Sequence, residues 1–259
     1  MLRSISSITG SVLQATDGEI GRCKDFLFDD EYWTIRFMVA DTGKWLPGRR
    51  VLVSPVALER PDWPSKRFHV NLTKDQIREQ PELDEHAPVS RQHEIRYHRH
   101  FSWAPYWGMG GLWGTAAAPP ALAGGEPPAL AADGDLVDKH LRSTAEVTGY
   151  SIEATDGEIG HVDEFIADDE SWALRYLVVA TRNWLPGKKV LLSPTWVREV
   201  RWADRHVALS LAREQVEKAP EYDPAMPVNR EYEELLYDFY GRPKYWAHAA
   251  EKTGRAGTG

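Results

Sequence analysis

The side chains able to do chemistry fall into a few groups. His93, His98 and His100 lie within one stretch of eight residues, and imidazole is the commonest metal ligand in proteins. Their spacing is not the two-histidine, i and i+4 pattern of helical zinc sites. Asp17, Asp29, Asp30 and Glu31 recur as Asp156, Asp168, Asp169 and Glu170. Paired carboxylates do acid–base work when their surroundings push their pKa values apart. In turns, however, Asp is favoured for bonding nearby backbone, and these read as solvated turn acids. Their spacing is not that of an EF-hand loop. Arg49-Arg50 and Lys188-Lys189 each follow Trp-Leu-Pro-Gly. A basic pair beside an aromatic ring can hold a phosphate or stack on a base; the plainer reading is a charged strand edge that resists aggregation. Ser54 and Ser193 precede proline and lack the Gly-x-Ser-x-Gly elbow of a nucleophile. No phosphate loop or dinucleotide fingerprint is present, so no cofactor is expected. No nucleophile, base and orienter can be assembled, which points away from an enzyme.

The elements that must position these groups occur twice. Ala15–Gly21 reads ATDGEIG, and Ala154–Gly160 reads the same, 139 residues later. At that offset Trp45-Leu46-Pro47-Gly48 falls on Trp184-Leu185-Pro186-Gly187, and Tyr106-Trp107 falls on Tyr245-Trp246. From Thr9 to Trp107 the alignment needs no gap, and 37 of 99 positions are identical. This is a tandem duplication whose period is far too long for a solenoid. The division expected is a first domain over 1–107, a Gly/Ala/Pro-rich linker over 108–140, a second domain over 141–247 and a disordered tail over 248–259. The three imidazole positions become Tyr232, Tyr237 and Phe239 in the second copy. Aromatic replacements point to packing rings, so no metal site is assigned. Cys23 becomes Val162, the exchange expected of a small buried residue.

Within one copy, Asp17-Gly18 marks a tight turn between two strands, with glycine at positive φ there and at Gly157. Trp33, Ile35, Phe37 and Val39 alternate with Thr34, Arg36, Met38 and Ala40, a period-2 strand with one apolar face. Arg50–Val53 and Arg67–Leu72 are further strands. Thr73-Lys74-Asp75-Gln76 matches a capping box, and its helix must end before Pro81. Ser90 caps a second helix, whose twin runs from Asn229. The fold expected is all-β: two small β-barrels, each with a short helical C-terminal extension. Trp103, Tyr106 and Trp107, with Tyr245 and Trp246, crowd the run-outs of the two copies. Such rings either fold back on their own barrel or form a docking surface. Trp113, Tyr237, Phe239 and Tyr240 lie in the same aromatic strips, and the rings of Trp103, Tyr106, Trp107, Tyr245 and Trp246, with the basic pairs Arg49, Arg50, Lys188 and Lys189, are the candidate interaction residues.

Composition narrows the classes. The chain has 259 residues, 42% hydrophobic and 27% charged, with a formal net charge of −8. That is ordinary globular composition and argues against a nucleic-acid binder. Residues 1–107 balance 15 basic against 15 acidic side chains, whereas 141–247 hold 13 against 19. One cysteine fits a reducing compartment, and no run is long or apolar enough for a transmembrane helix, so the expected location is the cytoplasm. Peripheral membrane association stays open.

The ordered set of Gly10, Asp17-Gly18-Glu19-Ile20-Gly21, Asp29-Asp30 before a Trp-initiated strand, Val51-Leu52-Val53-Ser54-Pro55 and the Tyr106-Trp107 close resembles the PRC-barrel family, named for the cytoplasmic domain of the photosynthetic reaction-centre H subunit. The resemblance covers both copies, about four-fifths of the chain. It implies a small β-barrel used for protein interaction and assembly, with no common catalytic residue to carry over. The protein partner is not named by it. The function expected is a non-catalytic scaffold or adaptor; the alternative is a sensor of a small ligand or metal ion bound between the barrels. The duplication itself suggests an intramolecular pseudo-dimer, in which linkage raises the effective concentration of each copy for the other. A basic edge of one copy meeting an acidic turn of the other would set its register.

Overall fold

The computed structural model describes residues 1–59, 61–84, 88–107, 112–113, 117–119, 141–181 and 187–247. The Trp184-Leu185-Pro186 turn, most of the Gly/Ala/Pro-rich stretch and the C-terminal tail lie outside them.

The first repeat runs β1 (Leu2–Ser4), α1 (Ile5–Ile8), β2 (Val12–Ala15), β3 (Gly18–Asp29), β4 (Thr34–Asp41), β5 (Val51–Val53), β6 (Arg67–Val70), α2 (Lys74–Glu79) and α3 (Arg91–His100). The second repeats that order with one added strand, β12: β7 (Leu141–Ser143), α4 (Thr144–Val147), β8 (Ser151–Ala154), β9 (Gly157–Asp168), β10 (Leu174–Thr181), β11 (Lys189–Leu192), β12 (Val197–Arg201), β13 (His206–Leu209), α5 (Arg213–Glu217) and α6 (Arg230–Tyr240). The capping box at Thr73 forms as its sequence predicts: Thr73 accepts from the Gln76 N–H, and Gln76 accepts from the Thr73 N–H. In the second repeat Ala212 stands in for the threonine, and only the glutamine half remains.

The strands form two mixed sheets. One has six strands in the order β5-β4-β3-β2-β6, with β7 also paired to β3; the other has seven in the order β11-β10-β9-β8-β13-β12, with β1 also paired to β9. The pairs β2–β3, β3–β4, β4–β5, β3–β7, β8–β9, β10–β11 and β12–β13 are antiparallel, whereas β2 with β6 and β8 with β13 are parallel. The expected barrels are therefore seen more coarsely, as two mostly-β sheets with few helices; among the described residues neither sheet closes on itself.

Glycine chemistry shapes both long strands. The β2–β3 loop is Thr16-Asp17, and Gly18 opens β3 at φ 154°; its twin Gly157 has φ 139°. The tighter constraint lies three residues on. A register shift leaves Ile20 as an extra residue between Glu19 and Gly21, and the second repeat repeats the bulge around Ile159. A Cβ on Gly21 would lie 2.0 Å from the Asp41 carbonyl oxygen, and one on Gly160 would lie 2.1 Å from that of Ala180. Only glycine lets the bulged strand cross its neighbour so closely.

The sheet core departs from the one-faced pattern read in the sequence. Every residue from Thr34 to Ala40 is buried, so both faces of β4 are covered. Trp33 does not start that strand. It sits before it at φ 50°, and Trp172 sits likewise before β10 at φ 59°. A bulky residue in the left-handed region is strained and needs its surroundings to hold it there.

The chain divides into two compact units. The first comprises Met1, Arg3–Thr148 and Glu164–Arg175; the second comprises Leu2, Gly149–Asp163 and Tyr176–Gly259. The first unit is therefore built from both repeats. Within it β7 pairs with the Leu27–Asp29 end of β3, on the edge that the short β2 leaves open. Asp25 accepts from Ser143 Oγ at 2.5 Å, Thr144 Oγ1 at 3.0 Å and the Ala145 N–H at 3.1 Å, so it anchors the start of α4. At the matching position Glu164 accepts from the Ser6 N–H at 2.6 Å. The Ile35 N–H donates to the Trp172 carbonyl at 2.8 Å, and the Leu174 N–H donates to the Trp33 carbonyl at 2.7 Å. Trp172 lies 6.4 Å from the Phe26 ring and 6.3 Å from Phe68, and Phe28 lies between Trp33 and Phe165.

Gly21→Ala is expected to destabilise the protein by about 2 kcal/mol or more, because backbone must move. Gly18→Val should cost about 1 kcal/mol from an unfavourable φ alone, since its Cβ would meet only the flexible Lys74 side chain, at 3.4 Å. Urea denaturation of the two variants checks the order; equal stability of Gly21→Ala and wild type would contradict the bulge assignment.

Candidate interaction site

Helices α3 and α6 carry the same device. On α3, Glu94 is fully buried, with Arg91 Nη1 at 3.1 Å and the Tyr106 hydroxyl donating to its other oxygen. On α6, Glu233 takes Arg230 Nη1 at 3.0 Å, while the hydroxyls of Tyr176 and Tyr245 donate to it at 2.7 and 2.9 Å. Arg91 then lies 4.5 Å over the Trp107 ring, and Arg230 lies 4.1 Å over Trp246. An Arg-x-x-Glu turn thus clamps the Tyr-Trp run-out back onto its own helix in both repeats. Burial and the adjacent carboxylates hold the hydroxyls of Tyr106 and Tyr176 far above the ordinary tyrosine range, so they stay protonated donors.

A second buried network differs between the repeats. Arg36 is 1% exposed and pairs with Asp29 at 3.1 Å. Its guanidinium lies 3.8 Å over Tyr106 and 5.0 Å over Trp113, and it donates to the Leu112 carbonyl. Asp29 also accepts from the N–H groups of Glu31 and Tyr32. The equivalent Arg175–Asp168 pair is looser, at 3.5 Å, and about one-fifth exposed. A buried ion pair of this kind is costly to break from one side, at roughly 3–5 kcal/mol.

The acidic turns are therefore more than solvated acids. Asp17 accepts from the Lys74 N–H at the start of α2 at 2.8 Å, and Asp156 does the same for Arg213 at 2.7 Å. Asp30 pairs with Arg142 at 3.1 Å and Asp169 with Arg3 at 3.6 Å, each joining the first unit's segments across the two repeats. A basic residue of one copy does meet the acidic turn of the other, but it comes from β1 and β7.

The basic pairs after the Pro-Gly turns do something local instead. Arg49 donates to the carbonyls of Arg78 and Gln80 at 3.0 and 3.1 Å, and Lys188 donates to that of Glu217 at 2.6 Å. Each closes the C-terminal end of the short helix, where unpaired carbonyls attract cations. Lys189 pairs with Asp163 at 2.7 Å. The Arg50 N–H donates to the Leu83 carbonyl. Trp103 and Tyr106 are buried, and Trp107, Tyr245 and Trp246 are half-buried. The nine candidate residues are thus divided between helix ends, strand starts and clamped run-outs, each within its own unit.

The three imidazoles occupy separate surroundings. His93 and His98 are buried on α3; His98 lies edge-on to Trp103 and Trp107, and its Nδ1 lies 3.1 Å from the Ala104 carbonyl oxygen. His100 is exposed, with Nε2 3.3 Å from the Gln76 carbonyl oxygen. Among the described residues, no group of three or more His, Cys, Asp or Glu side chains is placed to hold a metal. Cys23 is a buried free thiol whose pKa burial pushes upward. Ser54 and Ser193 cap short 3-10 turns, accepting from the N–H groups of Val56 and Thr195.

Each unit also carries a concavity large enough for a small molecule or a partner's side chains. The first unit has one of about 700 Å³, walled by Trp63 and Trp172 and edged by Glu59, Asp169 and Glu170. The second unit has one of about 390 Å³, against Tyr222, Tyr232 and Leu235. Beside it stand Met226, Leu235 and Phe239, which are 63%, 56% and 41% exposed. Sequence reading places Phe239 in an aromatic strip but does not join it to Leu235 and Met226, although Leu235 and Phe239 fall at i and i+4 on one helix. No helix among the described residues is long and apolar enough to cross a membrane.

Burial lowers the pKa of His93 and His98 to about 4, from 6.5. Both rings are neutral in the fold and gain a proton on unfolding below pH 6.5, so stability is complete above that pH and is lost progressively toward pH 4. Replacing both by tyrosine, as at Tyr232 and Tyr237, is expected to flatten the slope of urea midpoint against pH over that window. An unchanged slope would contradict the burial of these rings.

Compared with models of known protein families the sequence matches none, and none of the curated proteins matches it.

Proposed function

We propose that this chain is a non-catalytic interaction and assembly module of the PRC-barrel kind, with each sheet an opened barrel and the two repeats paired within one chain as a pseudo-dimer. The observation that carries the reading is the use of its charged groups. Many of the acids, bases and imidazoles that could serve chemistry are committed to helix ends, strand exchange and the clamped run-outs, while the exposed apolar side chains Leu235 and Phe239 on α6 and Met226 before it stand beside a concavity. Such a patch beside a concavity is what a docking surface requires. The Gly21 and Gly160 bulges and the Ser-Pro strand ends give structural roles to residues that carry the family resemblance. The pairing of β7 with β3 and of β1 with β9 supports the pseudo-dimer.

A second reading draws on the cavity walled by Trp63 and Trp172. Its aromatic and apolar walls suit a small, largely apolar molecule, so a ligand sensor is the alternative.

Affinity capture on the full-length chain, with native mass spectrometry of the purified protein, separates the two. The module reading expects a protein recovered in stoichiometric amount and no small molecule retained. A stoichiometric small molecule, with no protein above background, would overturn it in favour of the sensor.

A further inference from the structure

The two repeats have diverged most sharply on one helix face. Besides Arg230 in its first turn, the exposed residues of α6 are Glu231, Glu234, Leu235, Asp238 and Phe239. The same positions on α3 are Gln92, Ile95, Arg96, Arg99 and His100. Arg96, Arg99 and His100 are exposed, and neither arginine has an ion pair among the described residues. A duplication that began with two like faces therefore now presents an acidic, apolar face on one helix and a basic face on the other.

Surrounding residues deepen the contrast. Glu221, Asp223 and Glu231 line the concavity beside α6, whose inner wall is Tyr222 and Tyr232. Of the neighbouring cations, Arg230 is spent on Glu233 and Trp246, and Lys244 on Asp238. The face thus keeps an excess of carboxylates around an apolar centre. Arginine suits such a surface. Its stem covers apolar area while its guanidinium meets carboxylates, and it stacks on aromatic rings such as Phe239.

We propose that the α6 face takes the α3 face of a second copy of this chain. The contact is heterologous, because it joins two different surfaces, so each molecule keeps one free acceptor and one free donor face and association can continue beyond two. The inference rests on the interaction-module reading and names one partner for it. Charge complementarity at matched positions sets the choice of occupant and the register, and Met226, Leu235 and Phe239 supply the apolar centre.

Sedimentation of the full-length chain over a concentration series tests this. The wild type is expected to self-associate at low salt and to weaken about tenfold or more when salt approaches 0.5 M, where charges are screened beyond a few ångströms. Two variants isolate the faces: Arg96→Glu with Arg99→Glu, and Leu235→Ser with Phe239→Ser. All four positions are exposed, so circular dichroism and melting should stay at wild-type values. Each variant alone is expected to sediment as a monomer. Mixed, they should form a 1:1 complex that grows no further, because only one intact acceptor and one intact donor remain. A wild type that is monomeric at every concentration, or variants that self-associate as well as the wild type, would overturn the proposal. Neither result bears on the partner-capture experiment, which tests the module reading itself.

Discussion

Two backbone hydrogen bonds hold the account together: the Ile35 N–H to the Trp172 carbonyl, and the Leu174 N–H to the Trp33 carbonyl. Each joins the start of one repeat's central strand to the tryptophan before the other's. Both tryptophans sit at positive φ, a costly conformation for a bulky residue. The rings explain why it persists. Trp172 packs near Phe26 and Phe68, and Trp33 stacks on Phe28, so the strained backbone is fixed by buried aromatic area. A net hydrogen bond contributes only about 0.5–1.5 kcal/mol; the pair matters because β7 on β3, Asp25 on α4 and Asp30 with Arg142 all require the same alignment.

That arrangement frees the rest of each repeat to diverge. One surface of a repeat is committed to the other repeat's segments, and the C-terminal run-out is held by the Arg-x-x-Glu clamp. The outer faces of α3 and α6 carry neither duty. They differ in charge and in apolar content, whereas the clamp residues Arg91, Glu94, Tyr106 and Trp107 match Arg230, Glu233, Tyr245 and Trp246. On the proposed reading, interaction belongs on the faces that were free to change.

Much of this was legible in the sequence, for identifiable reasons. The β2–β3 hairpin, the Thr73 capping box and the caps at Ser90 and Asn229 are local devices whose residues lie within a few positions of one another. The burial of Cys23, His93 and His98 followed from the apolar or aromatic residues that replace them in the second copy. Strand exchange was hidden because β1 and β7 are three residues long, too short to show a period. The basic pairs misled because Arg49 and Lys188 act on helix ends some thirty residues away, a distance that no motif records. The tryptophans were read as strand starts because alternation alone cannot reveal a left-handed residue at the head of a run. The α6 patch was read only in part: Phe239 stood out as an aromatic, but Leu235 belongs to a helix whose other face is a regular core stripe and was read with it.

The most direct test of this account is to cut the chain between the repeats and ask whether they stay together. A protease site placed within residues 121–138 leaves the Leu112 carbonyl and Trp113 on the first fragment and β7 on the second. After complete cleavage under native conditions, the account predicts that the two fragments elute together as a 1:1 complex with a single cooperative melting transition. Fragments that separate on a sizing column and melt independently, each still folded, would contradict it.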